Sequence, residues 1–556
     1  MRIRRWFTGT LGAALVWATF AALPIPASSQ ETTRPFVGGT QAMVAANHPQ
    51  AAAVGLQVLA AGGNAVDAAV ATAAALGVVE PYLSGAGGDG FMLIYEAATG
   101  EVHLLNFTGR APAELTAAHF PEGIDERGPL PVLVPGAVAG WEAARARFGT
   151  MTAGELLAPS IRLAEEGYPA TPFAAERHRS APFFLEWGGA AAEAWWGGGD
   201  PPLTGEAIRN PRLARTYRIL ADQGFEAFYE GEIAEEMVAA VRRQGGVLSL
   251  QDLASYQATW EEPLSTSYRG FQVFTPRPNS SGGLAIPQIL NILEGYDLVA
   301  MGENSPDYLH LLIEAVKLAA ADRAEWSGDP GFMSVEIPYH RLLSKEYAAE
   351  QRGRIQMDQA AMNPSPGVSQ TGTTHLTVVD REGNMVSLTA TAGEFWGAGF
   401  VAGETGVLLN NGISWFELDP GSPAYVEPGK RTRWNMSPVI ITREGKPFAA
   451  LGTPGGTGIW QTLPQVITKL IDFEMDIQSA IESPRFRWGL SGLGVQVESR
   501  VPEEVLFELL LRGHEVGTYP DWTSSVGGVN GVVVDAANRV LMGGADPRRD
   551  GYVMGW

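Results

Sequence analysis

No cysteine occurs anywhere in the 556 residues. That absence excludes disulfides, a thiol nucleophile and thiolate metal sites together. The eight histidines are scattered, and no pair has the HExxH spacing that would hold zinc on a helix. No GxSxG elbow is present either, so a serine hydrolase of the α/β type has no nucleophile to stand on. Positive charge is scarce: 39 Lys and Arg face 61 Asp and Glu, for a net charge of −22. Such a balance speaks against nucleic acid and anionic membrane surfaces as partners. Long apolar runs are missing beyond the first two dozen residues.

That first stretch reads as a targeting segment, residues 1–29, and is set aside from fold reasoning. Arg2, Arg4 and Arg5 make a basic start, an apolar run follows from Trp6 to about Leu23, and Ala27-Ser28-Ser29 offer small residues for cleavage before Gln30. The apolar run is near the lower limit for an uncleaved membrane anchor. Pro24 and Pro26 followed by small residues favour cleavage instead. The Arg4-Arg5-Trp6-Phe7 run matches a twin-arginine signal too partially to use. The expectation is an exported protein, periplasmic or secreted, with no stable membrane insertion after signal removal. Losing three arginines and no acid takes the net charge from −22 to −25. An exported chain without disulfides needs a large hydrophobic core, and a 45% hydrophobic content can supply one.

No long linker and no internal repeat divides the chain. An Ala-rich helical pattern runs from Gln50 to Leu59 and stops at Gly62-Gly63; a second helix follows at about Asn64 to Leu76. Its near-continuous small apolar residues predict a helix packed on several sides. Phe91 to Tyr95 reads as a buried strand partnered by Val102 to Asn106. Helical spacing recurs at Glu232 to Arg243, Tyr308 to Ala321, about Gln461 to Leu470 and Glu503 to Leu511. Strand character dominates around 375–391, 437–452 and Gly531 to Asp535. The run Gly85-Ala86-Gly87-Gly88-Asp89-Gly90 satisfies GxGxxG, but a helix precedes it and a strand follows, the reverse of a dinucleotide loop. It reads as a tight turn.

The most informative stretch is Gly372-Thr373-Thr374-His375-Leu376-Thr377-Val378-Val379-Asp380. Before it, Asn363 to Gly372 is turn-forming and weakly structured. Arg381 to Asn384 supplies a turn, and Met385 to Thr389 reads as the returning strand. Taking 380 and 385 as the last pair puts Thr391 opposite Thr374, next door to Thr373. Cleavage at Gly372–Thr373 would give Thr373 a hydroxyl nucleophile and its own α-amine as base, with an amine pKa of about 8. Thr391 could orient either group. The bland reading is a structural Thr-rich hairpin. His375 reads as structural.

TTHLTVVDREGNMVSLTAT closely resembles the segment around the catalytic threonine of the γ-glutamyltranspeptidase family of N-terminal-nucleophile hydrolases. Further blocks resemble the family in order: 62–95, 228–260, 310–323, 327–330, GVLLNNG (406–412), GTPGGTGIW (452–460), ESPRF (482–486) and GGADPRRDG (543–551). The resemblance implies an α+β fold, a four-layer αββα sandwich with additional helices from the large subunit. It implies autocatalytic cleavage between Gly372 and Thr373 into a large subunit segment (30–372) and a small catalytic one (373–556), intertwined in one domain. It places the oxyanion donors on Gly455 and Gly456, where glycine lets backbone N–H groups turn toward developing charge; a simple turn is the alternative. It implies γ-glutamyl amides such as glutathione as donors, and water, an amino acid or a peptide as acceptor. No metal or organic cofactor is implied.

The chain departs from the family at the donor site. The arginine of the family's FRE-like segment is Thr108 here, with Arg110 two residues on. An asparagine after the second threonine pair becomes Gly393. A glutamine and an aspartate after the NN pair become Gly412 and Trp415, and a Ser-Ser pair becomes Trp434-Asn435. Arg110, Asn411, Trp434 and Asn435 are the candidate substrate-binding residues. Either Arg110 serves the carboxylate, helped by Arg431 or Arg433, or Trp415 and Trp434 line a more apolar pocket. The segment between Phe416 and Lys430 is short, which points to an open site. The alternatives to a glutathione-type donor are the same mechanism on another acyl amide, such as a β-lactam side chain, or an unprocessed, non-catalytic binding protein.

Overall fold

Side-chain alternation on a few strands is enough to stack the molecule into layers. In the computed structural model, which describes residues 32–362 and 372–556, Leu376, Val378, Val386 and Leu388 join a core with the helices Pro49–Ala60 and Ala65–Val79. The intervening Val379 and Met385 join a different core with Ile440, Ala450 and Val532. Val439, Ile441, Ala449 and Leu451 then face a third core made with the helices Ser281–Leu293, Pro306–Trp326 and Ile459–Ile471. Since strand residues alternate faces, the order is helices, sheet, sheet, helices. This is the four-layer α+β sandwich expected from the sequence. The targeting segment 1–29 and nearly all of the predicted loop before Gly372 (363–371) lie outside the described residues. Among the described residues no helix is long and apolar enough to cross a membrane.

Each sheet has seven strands. One runs in the order Tyr552–Gly555, Met43–Ala46, Gly372–Val379, Met385–Gly393, Asp89–Glu96, Glu101–Asn106, Thr259–Glu261. The hairpin that begins at Gly372 is thus central, flanked by Met43–Ala46 on one side and Asp89–Glu96 on the other. The other runs Val37–Gly39, Val540–Ala545, Asn530–Asp535, Lys446–Gly452, Val439–Arg443, Phe271–Thr275, Leu264–Tyr268.

The Ala-rich helix is buried along its whole length, Ala65 to Val79, as its small residues predict. Asn64 caps it by accepting from the Val66 and Asp67 amides, and Asp67 accepts from the Asn64 amide in return. The glycine turn after it leads directly into the strand Asp89–Glu96, with no helix behind it to receive a nucleotide phosphate.

One expectation is corrected. The hairpin register is a residue tighter than the sequence suggested: Val379 pairs with Met385, and Thr391 lies opposite Thr373 itself, not Thr374. The cause is Asp380. Its amide donates to the Asn384 carbonyl at 3.1 Å, and its carboxylate accepts from the Asn384 amide at 2.9 Å and side chain at 2.8 Å. Asp380 therefore closes the turn with Asn384, and Met385 drops back against Val379.

Candidate active site

Thr373 begins the central strand, buried, with a bulge separating the Gly372–Gly393 pair from the Thr373–Thr391 pair. Its hydroxyl donates to the Thr391 hydroxyl at 3.4 Å. Thr391 in turn donates to the Gly372 carbonyl and accepts from the Gly393 amide at 2.9 Å. The second threonine thus bridges the first threonine's hydroxyl and the oxygen of the carbonyl group it would have to attack. This contact is tighter than the diagonal one expected from the sequence.

His375 follows on the same face. It bonds the Thr389 hydroxyl at 2.9 Å and the Thr377 hydroxyl at 3.1 Å. Burial pushes its imidazole down to about 3, so it is neutral and committed to the sheet. A side chain on Gly452 of the opposite sheet would strike its ring. Meanwhile Ser387, the partner of Thr377, donates to the Leu451 carbonyl at 3.1 Å. Running from Leu451 to Gly452 therefore moves from the level of Thr377 to that of His375, and the chain continues toward Thr373.

Gly455 and Gly456 come next along that path, both buried, with φ of +132° and +57°. Few other residues adopt that backbone. The bend leads into the helix Ile459–Ile471. Gly455 packs on Gly527, Gly528 packs on Arg549, and Arg549 donates to the Thr373 carbonyl at 3.4 Å. The glycine pair and the threonine are joined by this short series of contacts.

The C-terminal block GGADPRRDG anchors the arginine. Asp546 pairs with Arg485 and Arg548, and Arg548 pairs with Glu498 at 2.6 Å, all fully buried. The guanidinium groups hold both carboxyls below their ordinary range despite burial. Sequence reasoning missed Arg549 and also Glu80, which accepts from the Thr374 hydroxyl at 3.0 Å.

At the donor-site positions several polar groups are engaged within the protein. Thr108 donates to Asn106 at 2.7 Å and accepts from Asn279 at 3.1 Å. Arg110 donates to the Gly429 carbonyl at 2.9 Å, and burial and nearby Arg431 lower its pKa. Arg431 donates to the Thr108 carbonyl and the Thr259 hydroxyl, and Arg433 pairs with Glu417 at 2.9 Å. Arg110 thus spends one donor, from Nη1, on the Gly429 carbonyl.

Asn411 is occupied too, accepting from the Glu394 amide and donating to the Glu126 carbonyl, each at 2.9 Å. A side chain on Gly393 would collide with its Oδ1. The space of the family's glutamine is also filled. A Cβ on Gly412 would lie 2.2 Å from Leu133 Cδ1 and 2.9 Å from Trp434 Cζ2. The Trp415 and Trp434 rings meet at 5.9 Å. Among the described residues, Trp415 Nε1, Trp434 Nε1 and Asn435 Nδ2 have no hydrogen-bond partner, although Asn435 Oδ1 accepts from Ser281 and Arg323.

Folding also gathers two acid–histidine clusters that spacing did not suggest: one, Glu96, Glu101 and His103, is partly exposed, and the buried one is His310, Glu314 and His514. Its groups are wired internally: the histidines bond each other at 2.8 Å and Lys317 donates to Glu314 at 2.8 Å. It also clamps the chain at Gln356 and Ala361. The arrangement is a structural tie, remote in character from a metal site.

Comparison with known proteins gives a single picture. The Gamma-glutamyltranspeptidase family model matches residues 51–556. The Acylase ACY 1 proenzyme of Pseudomonas sp. (strain V22) is 37% identical over 547 residues, covering 96% of both chains. The glutathione hydrolase proenzyme of Bacillus subtilis (strain 168) is 35% identical over 548 residues, covering 93% of this chain and 92% of that one. The crystal structure of cephalosporin acylase from Bacillus halodurans superimposes with a TM-score of 0.88 at 36% identity, over 97% of this chain and 99% of that one.

Proposed function

The chain belongs to the gamma-glutamyltranspeptidase family of N-terminal-nucleophile hydrolases and acyltransferases, and from that premise we propose an exported, self-cleaving amidohydrolase with Thr373 as nucleophile, acting on acyl groups that lack an α-ammonium. In the precursor, Thr373 Oγ1 attacks the Gly372 carbonyl carbon as the C=O electron pair shifts to oxygen. The Thr373 proton passes to Thr391, and the Thr391 proton passes to the Gly372 oxygen. Collapse of this intermediate breaks the C–N bond, moves that proton to the departing nitrogen, and leaves an ester. Water cleaves the ester into segments 30–372 and 373–556. In the cut enzyme the Thr373 amine takes the hydroxyl proton as the oxygen attacks the substrate amide carbon, and the Gly455 and Gly456 amides meet the oxyanion; collapse breaks the substrate C–N bond, the ammonium hands its proton to the departing amine, and an ester on Thr373 remains. Water then releases the acid, with an amino acid or peptide amine as the transfer alternative.

The observation carrying the donor preference is the filled position at Gly412. Leu133 and the tryptophan pair stand where the family offers polar groups, and Gly393 and Trp415 supply no acceptor for an ammonium. An ammonium brought there would lose water without a replacement partner, which is costly. The idle N–H donors of Trp415, Trp434 and Asn435 still suit an acceptor at the far end of an aliphatic acyl chain. Relatives named for acylase activity fit this reading. Relatives named for glutathione hydrolysis, with Arg110 and Arg431 close by, favour the γ-glutamyl alternative.

A matched pair of anilides decides. Glutaryl and γ-glutamyl p-nitroanilide differ only in the α-ammonium. The expected kcat/KM favours glutaryl by at least about tenfold, or ~1.4 kcal/mol. A preference for the γ-glutamyl compound would return the enzyme to glutathione-type donors.

A further inference from the structure

Behind the nucleophile, on the helix-facing side of its strand, lies a buried polar cluster that the mechanism above does not use. Glu80 ends the Ala-rich helix as its C-terminal cap residue and is fully buried. Its Oε2 accepts from the Thr374 hydroxyl at 3.0 Å, while Oε1 has no partner among the described residues. The turn it leads into presses on the cleavage point. A Cβ on Gly372 would lie 2.8 Å from the Tyr82 carbonyl oxygen. From the C-terminal block, Arg549 reaches the Thr373 carbonyl. Three consecutive residues, 372, 373 and 374, are thereby held by one turn and one arginine.

The groups facing Glu80 come from several elements. Asp550 and Arg549 approach from the C-terminal block, Tyr82 from its own turn, and Tyr168 from the segment after the helix Ala153–Glu166. Arg177 and Asp546 act on Arg549 in turn. His48 packs edge-on against Tyr168, and His178 against Tyr82. Tyr82 and Tyr168 hydroxyls and Arg549 Nε also lack partners among the described residues. In the uncut chain this carboxyl, with one oxygen idle, faces the Arg549 cation and the Asp550 acid, and cutting adds a second positive group at the residue before Thr374.

We propose that Glu80 is a positioning residue for the nucleophile: it holds Thr374, the second residue of the new chain, and becomes the counter-charge of the Thr373 ammonium, setting the pH at which that amine turns into a base. The proposal rests on the reading of Thr373 as an N-terminal nucleophile. In the uncut chain burial, with Asp550 adding to it, raises the carboxyl to about 8, so it is largely neutral near pH 7. Cleavage supplies a positive charge nearby and favours its ionised form. An ionised Glu80 in turn stabilises the ammonium and delays its loss of a proton.

Glu80→Gln keeps an acceptor for Thr374 and removes the charge. In the processed enzyme its kcat/KM acid limb is expected about one pH unit lower than wild type, which loss of packing alone would not produce. An unmoved limb overturns the proposal. Where Glu80→Gln does not process, Glu80→Asp should restore cleavage and the wild-type limb; failure of both variants overturns the proposal, and the next measurement does not depend on processing.

That measurement uses precursors blocked by Thr373→Ala. A carboxyl whose folded pKa is raised contributes stability that is whole below its unfolded value of about 4.3 and is lost as pH climbs through the folded value. The Glu80 precursor should therefore lose more Tm between pH 5 and 8 than its Glu80→Gln counterpart. Parallel curves overturn the proposal. An active Thr373→Ala enzyme would instead sink the nucleophile assignment itself.

Discussion

Thr373→Ala is expected to run as one uncut band on a denaturing gel, where the wild type gives two, and to lower amide turnover by at least about 10³-fold. Both effects follow from one oxygen. Thr373 Oγ1 leads, through the Thr391 hydroxyl, to the Gly372 carbonyl. Without it neither the peptide bond nor a substrate amide meets a nucleophile, and without cleavage there is no α-amine to serve as base. Thr373→Ser keeps the oxygen and should still cut. Activity in an intact wild-type chain would reject the account, as would full turnover by the alanine variant. A wild type that stays whole and inert would instead favour the non-catalytic binding protein that the sequence leaves open.

How far the sequence reaches depends on how far apart the interacting residues are. Local patterns were legible. The helix Glu232–Arg243 ends where its apolar spacing ends, and the Asn64 cap stands at the start of the Ala-rich helix. The register slipped by one because a side chain, Asp380, closes the turn that propensity left ambiguous. Ordered family blocks pointed to the sandwich, and to Thr373 and the glycine pair as candidate site residues.

Contacts across the fold were not legible. Glu80 meets Thr374 across 294 positions, and Arg549 meets Thr373 across 176. The loss of polar residues at Gly412 and Trp434 was visible, but its meaning depends on Leu133, which a distant segment inserts into that space. Asn410 pins this segment, accepting from the Leu133 amide and donating to its carbonyl. The NN pair is thus a brace for the apolar wall as well as a family signature. Arg110 shows the converse: a cation that looks available in the sequence is engaged with Gly429 once folded.

Thr391→Val should separate maturation from folding. Valine has nearly the shape of threonine and suits a central strand, so the hairpin is expected to form. What disappears is the hydroxyl that accepts from Thr373 and donates to Gly372. The Gly393 amide also loses its acceptor, a cost of about 1–3 kcal/mol if it stays unsatisfied. Self-cleavage then has no relay, since in the precursor the Thr373 nitrogen is still an amide and cannot act as base.

A positioned proton-transfer group is worth about 10²–10⁴-fold, so cleavage of Thr391→Val should slow by about that factor. A time course of band conversion measures it. The fraction that does cut owns a free Thr373 amine, and its turnover per cut molecule should fall far less than its rate of cutting. Equal losses in both steps would mean that Thr391 serves only to shape the strand. An unchanged cleavage rate would remove Thr391 from the maturation chemistry, whatever its distance from the scissile carbonyl.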